Sequence, residues 1–187
     1  QNTALITGAS AGIGRELAII HAEKGGDLVV VARRQEQLEG LKMELESRHD
    51  VEVRVIVSDL TDRSAPSAIY QQLKDDGVEI DFLINNAGFG GVGKFYERDW
   101  NDDLSMIHLN ILALTELSRL FLPDMVARRS GRILNVSSTA SLMPGPLQAV
   151  YFATKAFVTS LSNALAYELR GTGVTVSALL PGATGTE

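Results

Sequence analysis

Tyr151 and Lys155 stand four residues apart in a segment whose apolar residues recur at helical spacing. On a helix, positions i and i+4 are neighbours on one face, with Cβ atoms about 5–6 Å apart. An ammonium group at that distance stabilises a phenolate, because the two charges are opposite. Tyr151 would then exchange a proton with the oxygen of an alcohol or carbonyl compound as a general acid or base. Unrelated surface pairs often share this spacing, so the hypothesis depends on the residues around the pair.

Three polar residues elsewhere in the sequence are candidates to support this pair. Ser138 lies 13 residues before Tyr151, directly after an apolar strand, where its hydroxyl could orient a substrate oxygen. Ser137 is the competing candidate, and alternation along a strand should turn the two serines to different faces. Asn110 interrupts an apolar helical stretch, and a buried amide needs hydrogen-bond partners. We expect Asn110 either to organise a water chain to Lys155 or to bond a neighbouring backbone group.

A glycine-rich turn follows the first predicted strand. Gly8, Gly12 and Gly14 form the pattern G-x-x-x-G-x-G between that strand and a predicted helix. Glycines permit a tight turn and let a pyrophosphate approach the backbone, while the helix N-terminus offers unpaired N–H groups and partial positive charge. This position predicts a dinucleotide-binding turn, and a plain tight turn between strand and helix is the alternative.

The end of the second predicted strand indicates which dinucleotide binds. An acid near this point hydrogen-bonds the ribose 2′-hydroxyl in many dinucleotide-binding folds, but here the strand ends in Arg33 and Arg34. A guanidinium holds a 2′-phosphate through paired hydrogen bonds, so we predict NADP(H) in preference to NAD(H). Solvated arginines at a helix start are the alternative. Arg15 is a second candidate for the phosphate. Asp59, after the third strand, should either accept a hydrogen bond from the adenine amine or cap the next helix.

The composition argues against several other functions. The 187 residues include 17 lysines and arginines against 23 acids, and this acidic balance without a basic run argues against nucleic-acid binding. The chain has no cysteine and only three scattered histidines, so we expect neither a disulfide nor a metal site. No apolar run is long enough to span a bilayer, and the start of the sequence has no basic region or cleavage site, so we expect no signal peptide. These features predict a cytoplasmic protein without a membrane partner.

Short β-branched runs alternate with longer amphipathic stretches, which is typical of βαβ units and a parallel sheet. We predict a single α/β domain over residues 1–187, a doubly wound parallel sheet with strand order 3-2-1-4-5-6 and a ligand crevice at the carboxyl ends of the strands. The predicted strands are Thr3–Thr7, Leu28–Val31, Val51–Val57, Ile80–Ile84, Ile133–Val136 and Val174–Leu180. The predicted helices are Ile13–Lys24, Gln35–His49, Ala65–Leu73, Trp100–Ala127 and Val150–Leu169.

The sixth strand would lie at an edge of this predicted sheet. Its sequence from Val174 to Leu180 is apolar and holds neither a charge nor a proline. Native proteins seldom leave such an edge open, because it templates aggregation. We therefore expect further chain beyond Glu187 to cover this edge, with a natural terminus as the alternative.

Taken together, these motifs resemble the short-chain dehydrogenase/reductase family along the whole chain. The resemblance rests on motifs that stand in the family's order and spacing, namely the glycine turn, Asn85 to Gly88, Asn110, Ser138, Tyr151 with Lys155, and Pro181-Gly182 with Thr186. It implies a Rossmann-type fold, nicotinamide-dependent hydride transfer, and a homodimer or homotetramer built largely from the two long helices after the fourth and fifth strands. It also implies a substrate-binding loop and a seventh strand beyond Glu187.

The resemblance further implies roles for individual residues. Asn110, Ser138, Tyr151 and Lys155 match the family's catalytic tetrad. Arg33 fits the NADP-preferring members, whereas Ala11 lacks the extra basic residue that some of those members carry. With the residues argued above, the expected cofactor contacts are Gly8, Ser10, Gly12, Ile13, Gly14, Arg33, Arg34, Asp59, Leu60, Asn86, Ala87, Gly88, Tyr151, Lys155, Pro181, Gly182, Thr184 and Thr186.

Two other functions remain as alternatives at this point. One is a dinucleotide-binding sensor or scaffold without turnover, against which the intact Ser138, Tyr151 and Lys155 argue. The other is a nucleotide-sugar epimerase or dehydratase, whose relatives usually have a different glycine spacing. The substrate itself is a small carbonyl or alcohol compound of unidentified structure. The residues that flank the predicted pocket are mostly apolar and favour an uncharged compound, although they can equally be packing residues; they are Phe89, Val92, Leu142, Met143, Pro144, Leu147 and Val150.

Overall fold

Six parallel strands form one sheet in the computed structural model, which describes residues 2–182. The strand order is β3-β2-β1-β4-β5-β6, so the predicted doubly wound sheet is confirmed. The order reverses between β1 and β4, which are hydrogen-bonded neighbours. The strands are β1 (Thr3–Thr7), β2 (Asp27–Ala32), β3 (Val53–Val57), β4 (Phe82–Asn85), β5 (Gly131–Val136) and β6 (Val174–Leu179).

Helices connect these strands and cover both faces of the sheet. Apart from one helix, the predicted elements are confirmed to within two residues at each end. The exception is Trp100–Ala127, which is not one continuous helix, because a π-helical segment at His108–Ala113 divides it. The helices are α1 (Gly12–Glu23), α2 (Gln35–Arg48), α3 (Ala65–Asp75), α4 (Trp100–Ile107), α5 (Leu114–Ala127) and α6 (Ala149–Glu168).

The hydrophobic core has two layers, one on each face of the sheet. Neighbouring residues of a strand point to opposite faces, so Leu5 belongs to one layer and Ile6 to the other. The layer with Leu5 packs against α3 and α5, and the layer with Ile6 packs against α1 and α2. Both faces of the central strand are therefore buried, which explains its continuous apolar sequence.

The sixth strand lies at the edge of the sheet, as the sequence predicts. Val174 and Val176 are buried, whereas Thr175 and Ser177 are exposed. The backbone ladder continues past the strand, since Thr139 N donates to Pro181 O at 3.0 Å. The expected chain beyond Glu187 lies outside the described residues.

The turn between β1 and α1 packs directly against the turn after β4. Asn86 Nδ2 donates to Thr7 O at 3.0 Å and to Gly8 O at 3.2 Å, and Gly8 has a φ of +67° that favours glycine. A Cβ added to Gly14 would lie 2.4 Å from both Asn86 Nδ2 and Gly8 O. Only a residue without a side chain lets α1 begin this close to β4.

We expect Gly14→Ala to lower the free energy of unfolding by about 2 kcal/mol, because the methyl group would overlap backbone that cannot move freely. The matched control is Gly40→Ala. Gly40 is exposed on α2 and has no atom within 4 Å of an added Cβ, so alanine should stabilise the protein by about 0.5–1 kcal/mol. Chemical denaturation of both variants measures the two effects. Equal changes in the two variants would contradict this account of the turn.

Candidate active site

A cavity of about 540 Å³ opens at the carboxyl ends of the strands. It lies where the strand order reverses, which is the expected place for a ligand in an open α/β sheet. The turns after all six strands contribute to its lining. The predicted site residues that line it are Gly8, Ser10, Gly12, Ile13, Arg33, Arg34, Asp59, Leu60, Asn86, Ala87, Gly88, Ser138, Tyr151, Lys155, Pro181 and Gly182.

Four of the predicted site residues do not appear in this lining. Gly14 lies behind the turn, where it permits the close packing against Asn86. Asn110 is buried beside the cavity. Thr184 and Thr186 lie outside the described residues. The cavity also contains Ser58 and Leu109, for which the sequence predicted no role. Ser58 directly follows β3 and could have been found from that position, whereas Leu109 reaches the cavity from the π-helical segment, which has no recognisable pattern in the sequence.

Tyr151 and Lys155 lie on one face of α6, near its N-terminus. The Lys155 Nζ atom is 5.8 Å from the centre of the Tyr151 ring and donates a hydrogen bond to Val136 O at 3.0 Å. Only 7% of Lys155 is exposed, and this burial lowers its pKa from the ordinary value of 10.5 to about 8. The lysine is therefore a cation whose proton is easily lost just above neutral pH.

The two candidate serines have different environments, as alternation along the strand predicts. Ser137 is buried; its hydroxyl donates to Lys155 O at 3.0 Å and shares a 2.7 Å hydrogen bond with Thr159. Ser138 accepts a hydrogen bond from Ala140 N at 3.1 Å. As the acceptor in that bond, Ser138 retains its hydroxyl proton for donation to a ligand. Ser137 instead fastens the turn of α6 that carries Lys155.

Asn110 joins the π-helical segment to two parts of the site. Its Oδ1 accepts from Phe89 N at 3.1 Å, and its Nδ2 donates to Phe89 O at 2.9 Å and to Thr154 Oγ1 at 3.0 Å. Thr154 in turn donates to Tyr151 O at 2.7 Å. Of the two expectations for Asn110, the structure contains the bond to a neighbouring backbone. The amide thus ties the loop after β4 to the turn of α6 that carries Tyr151.

Arginines lie at the opposite end of the cavity from Tyr151. The Arg34 guanidinium is within hydrogen-bond distance of Ser10 Oγ, at 3.3 Å from Nη2. The Arg33 side chain is 74% exposed and is 3.9 Å from Asp59. Arg15 does not line the cavity; it pairs with Glu44 on α2. Two guanidinium groups therefore lie at the mouth of the cavity.

Asp59 has a structural role in the turn after β3. Its Oδ1 accepts hydrogen bonds from Thr61 N at 2.9 Å and from Thr61 Oγ1 at 2.8 Å, so it closes this turn and does not cap α3, whose first flanking residue is Ser64. Burial acts to raise the pKa of Asp59, but the Thr61 hydrogen bonds and the Arg33 charge outweigh it and lower that pKa below its ordinary value. The carboxylate still lines the cavity.

A model of the short chain dehydrogenase family matches residues 2–187. The chain belongs to this family. It is 36% identical over 184 residues to a very-long-chain 3-oxoacyl-CoA reductase of Macaca fascicularis, and this match covers 95% of the chain but 58% of the length of that relative.

Two solved structures are similar to the whole fold. A short-chain dehydrogenase from Sphingobium yanoikuyae in complex with NADPH is 40% identical, with a TM-score of 0.95 over 100% of this chain and 73% of the other. A bulky-bulky ketone specific alcohol dehydrogenase from Comamonas testosteroni is 37% identical, with a TM-score of 0.94 over 99% of this chain and 74% of the other.

Two kinds of feature are absent from the part of the chain that the structure describes. None of the helices within residues 2–182 combines the length and apolar character needed to cross a membrane. Across the same residues, no group of three or more His, Asp or Glu side chains is arranged to hold a metal ion.

We expect Lys155→Met to raise the free energy of unfolding at pH 7 by about 2–3 kcal/mol, because the buried ammonium has a lower pKa in the folded protein than in the unfolded chain. The unfolded chain holds this proton up to about pH 10.5, whereas the folded protein releases it near pH 8. Wild-type stability should therefore rise between these pH values, and the advantage of the variant should shrink. Denaturation at pH 7 and pH 10 measures this difference. The exposed control Lys24→Met should change little, and a gain that does not vary with pH would contradict the assignment.

Proposed function

We propose that this protein is an NADP(H)-dependent oxidoreductase that interconverts an alcohol and a carbonyl compound. The observation that carries the proposal is one continuous cavity with Tyr151, Ser138 and Lys155 at one end and the glycine turn with two arginines at the other. Two of the relatives are named for an oxoacyl or a ketone substrate, which supports a carbonyl substrate here. Ser138 keeps a hydroxyl proton for donation and Lys155 lies beside the Tyr151 ring, an arrangement that a scaffold without turnover would not require.

The residues of the cavity fit a dinucleotide. Gly12, the first residue of α1, lines the cavity and has no side chain, so a phosphate could approach the first N–H groups of the helix. Arg33 and Arg34 supply positive charge where a 2′-phosphate would be recognised, and no acid occupies the end of β2. The NADPH bound to the Sphingobium relative supports the same cofactor for this chain.

Bound nicotinamide would supply or accept the hydride. In the reductive direction, Ser138 would donate a hydrogen bond that orients the carbonyl oxygen, and Tyr151 would donate a proton to that oxygen. Below about pH 8 the Lys155 ammonium would stabilise the phenolate that remains. Asn110 would act indirectly, since its bonds to Phe89 and Thr154 hold the loop and the helix turn that frame the site. Alcohol oxidation would use the same groups in reverse.

Assembly and location remain predictions. A homodimer or homotetramer follows from the family resemblance, through α4–α5 and α6, and a cytoplasmic location follows from the pattern of the sequence. The single domain over residues 1–187 is also a proposal, since the relatives that match this chain are longer.

We expect Tyr151→Phe to lower kcat for NADPH-dependent carbonyl reduction by about 100-fold or more, because it removes the proton donor and keeps the ring. NADPH binding, followed by fluorescence, should stay within about twofold. The control is Tyr167→Phe, which removes a hydroxyl from an exposed residue at the far end of α6. A Tyr151→Phe enzyme as active as the control would remove Tyr151 from its proposed role.

We expect Arg33→Asp to reduce the ratio of kcat/KM for NADPH to that for NADH by at least about tenfold, because a charge-assisted hydrogen bond to a phosphate would be replaced by repulsion. Steady-state kinetics with both cofactors measure this ratio. The control, Arg63→Asp, makes the same charge change at an exposed arginine outside the cavity. An unchanged ratio in Arg33→Asp would refute the assignment of Arg33 to the 2′-phosphate.

A further inference from the structure

A group of exposed apolar side chains lies in two segments that adjoin the Tyr151 end of the cavity. Within residues 2–182, nine large apolar side chains are more than half exposed, and seven of them lie in the segments 92–100 and 142–147. The first segment contributes Val92, Phe95, Tyr96 and Trp100, and the second contributes Leu142, Met143 and Leu147. Apolar side chains that are exposed singly are normal, whereas a concentration beside a cavity indicates a binding surface.

The two segments are joined to each other and to the catalytic end of the cavity. Gly93 N donates to Leu147 O at 2.8 Å, which links them directly. A Cβ added to Gly90 would lie 3.2 Å from the Tyr151 ring, so the chain leading into the first segment passes over that ring. Phe89, one residue earlier, lines the cavity itself. The two segments therefore adjoin the Tyr151 end of the cavity.

The second segment is held in a defined conformation. Leu147 has a φ of +66°, a left-handed conformation that costs a residue with a side chain about 1 kcal/mol. Its carbonyl is fixed by Gly93, and Gln148 N donates to Gly145 O at 3.0 Å. Gly145 packs so closely on Phe152 that an added Cβ would lie 2.3 Å from the ring. A surface fixed in this way loses little conformational entropy when a ligand binds.

Within segments 92–100 and 142–147, each lysine or arginine already has an acidic partner, and Asp99 caps α4. Residues 136–154 contain no Asp, Glu, Lys or Arg. In the first segment, Arg98 pairs with Asp103 at 2.8 Å, and Lys94 pairs with Glu97 at 3.2 Å. An anionic group placed here would lose water without gaining a partner. The removal of an apolar group from water is instead favourable in free energy.

We propose that segments 92–100 and 142–147 bind a bulky apolar substituent of a ketone, such as an alicyclic, aryl or long alkyl group, while Tyr151 meets the ketone oxygen. This inference rests on the proposed function and narrows its substrate class. A second copy of the chain, another protein or a membrane could also cover such a surface. The chain that leads into the first segment passes over the Tyr151 ring, so the apolar surface lies beside the place where the ketone oxygen would react. This position favours the substrate as the occupant.

The first test compares three carbonyl compounds with the full chain and NADPH. Cyclohexyl methyl ketone and acetone share the methyl ketone group and differ in apolar bulk, and pyruvate adds a carboxylate to acetone. We expect kcat/KM to be at least tenfold higher for cyclohexyl methyl ketone than for acetone, and lower for pyruvate than for acetone. Equal or better turnover of acetone or pyruvate overturns the proposal.

Matched variants locate the effect in the two segments. Leu142→Ser and Phe95→Ser should each lower the ratio of kcat/KM for cyclohexyl methyl ketone to that for acetone by at least fivefold. The controls Met43→Ser and Tyr167→Ser remove the two other strongly exposed apolar side chains, at 67% each, and should leave the ratio unchanged. A fall that is equal for both ketones, or a change of oligomeric state or vesicle binding, assigns the surface to a protein or membrane partner and overturns the proposal.

The emission of Trp100 reports binding without turnover. Trp100 is the only tryptophan of the chain and belongs to the first segment. We expect 1-cyclohexylethanol to cause a saturable change in its fluorescence, with 2-propanol causing none at the same concentration. A saturable change with no NADPH oxidation by any ketone would contradict the proposed function and leave the apolar binding surface standing. Reduction of acetone with no selective response of Trp100 would support the proposed function and contradict the apolar binding surface.

Discussion

The contact between β1 and β4 is the constraint on which the rest of the site depends. Strands β2 and β3 are added to the sheet on one side of this contact, and strands β5 and β6 are added on the other side. The turns that follow β1 and β4 therefore diverge at this junction. Thr7 Oγ1 accepts hydrogen bonds from Asn86 N and Ala87 N at 3.0 Å each, and Asn86 returns bonds to the turn after β1. These bonds set the width of the crevice. They also require the glycines, because a side chain at Gly14 would occupy the same space as Asn86.

Lys155 illustrates how function and stability oppose each other in this site. Its ammonium group is removed from water and bonded to the carbonyl of Val136, and that burial holds its pKa near 8. A buried cation costs folding free energy unless a charge pairs with it. The same burial leaves the field of the ammonium poorly screened by water, and the Tyr151 ring lies 5.8 Å away.

The division of the long helix explains how Asn110 can serve the site. The π-helical segment, His108–Ala113, widens the turn and brings Asn110 against Phe89 and Thr154. π-helical turns often occur at functional positions, where a local departure from regular geometry directs a side chain. The side chain then fixes two elements that are far apart in sequence.

Most of the architecture could be predicted from the sequence by itself. Alternating apolar runs predicted all six strands and the positions of the α-helices, apart from the division of the long one. The glycine turn, Arg33 and the Tyr151–Lys155 spacing indicated which turns face the crevice, because parallel strands bring their carboxyl ends to one edge. The sequence could not reveal the π-helical segment, since one widened turn changes no periodic pattern. It could not separate the partners of Asn110 or assign Asp59 to its own turn, because both depend on neighbours brought close by folding. Burial is likewise a tertiary property: the sequence identifies Lys155 as a cation, and only the packing of α6 on β5 decides how firmly it holds its proton.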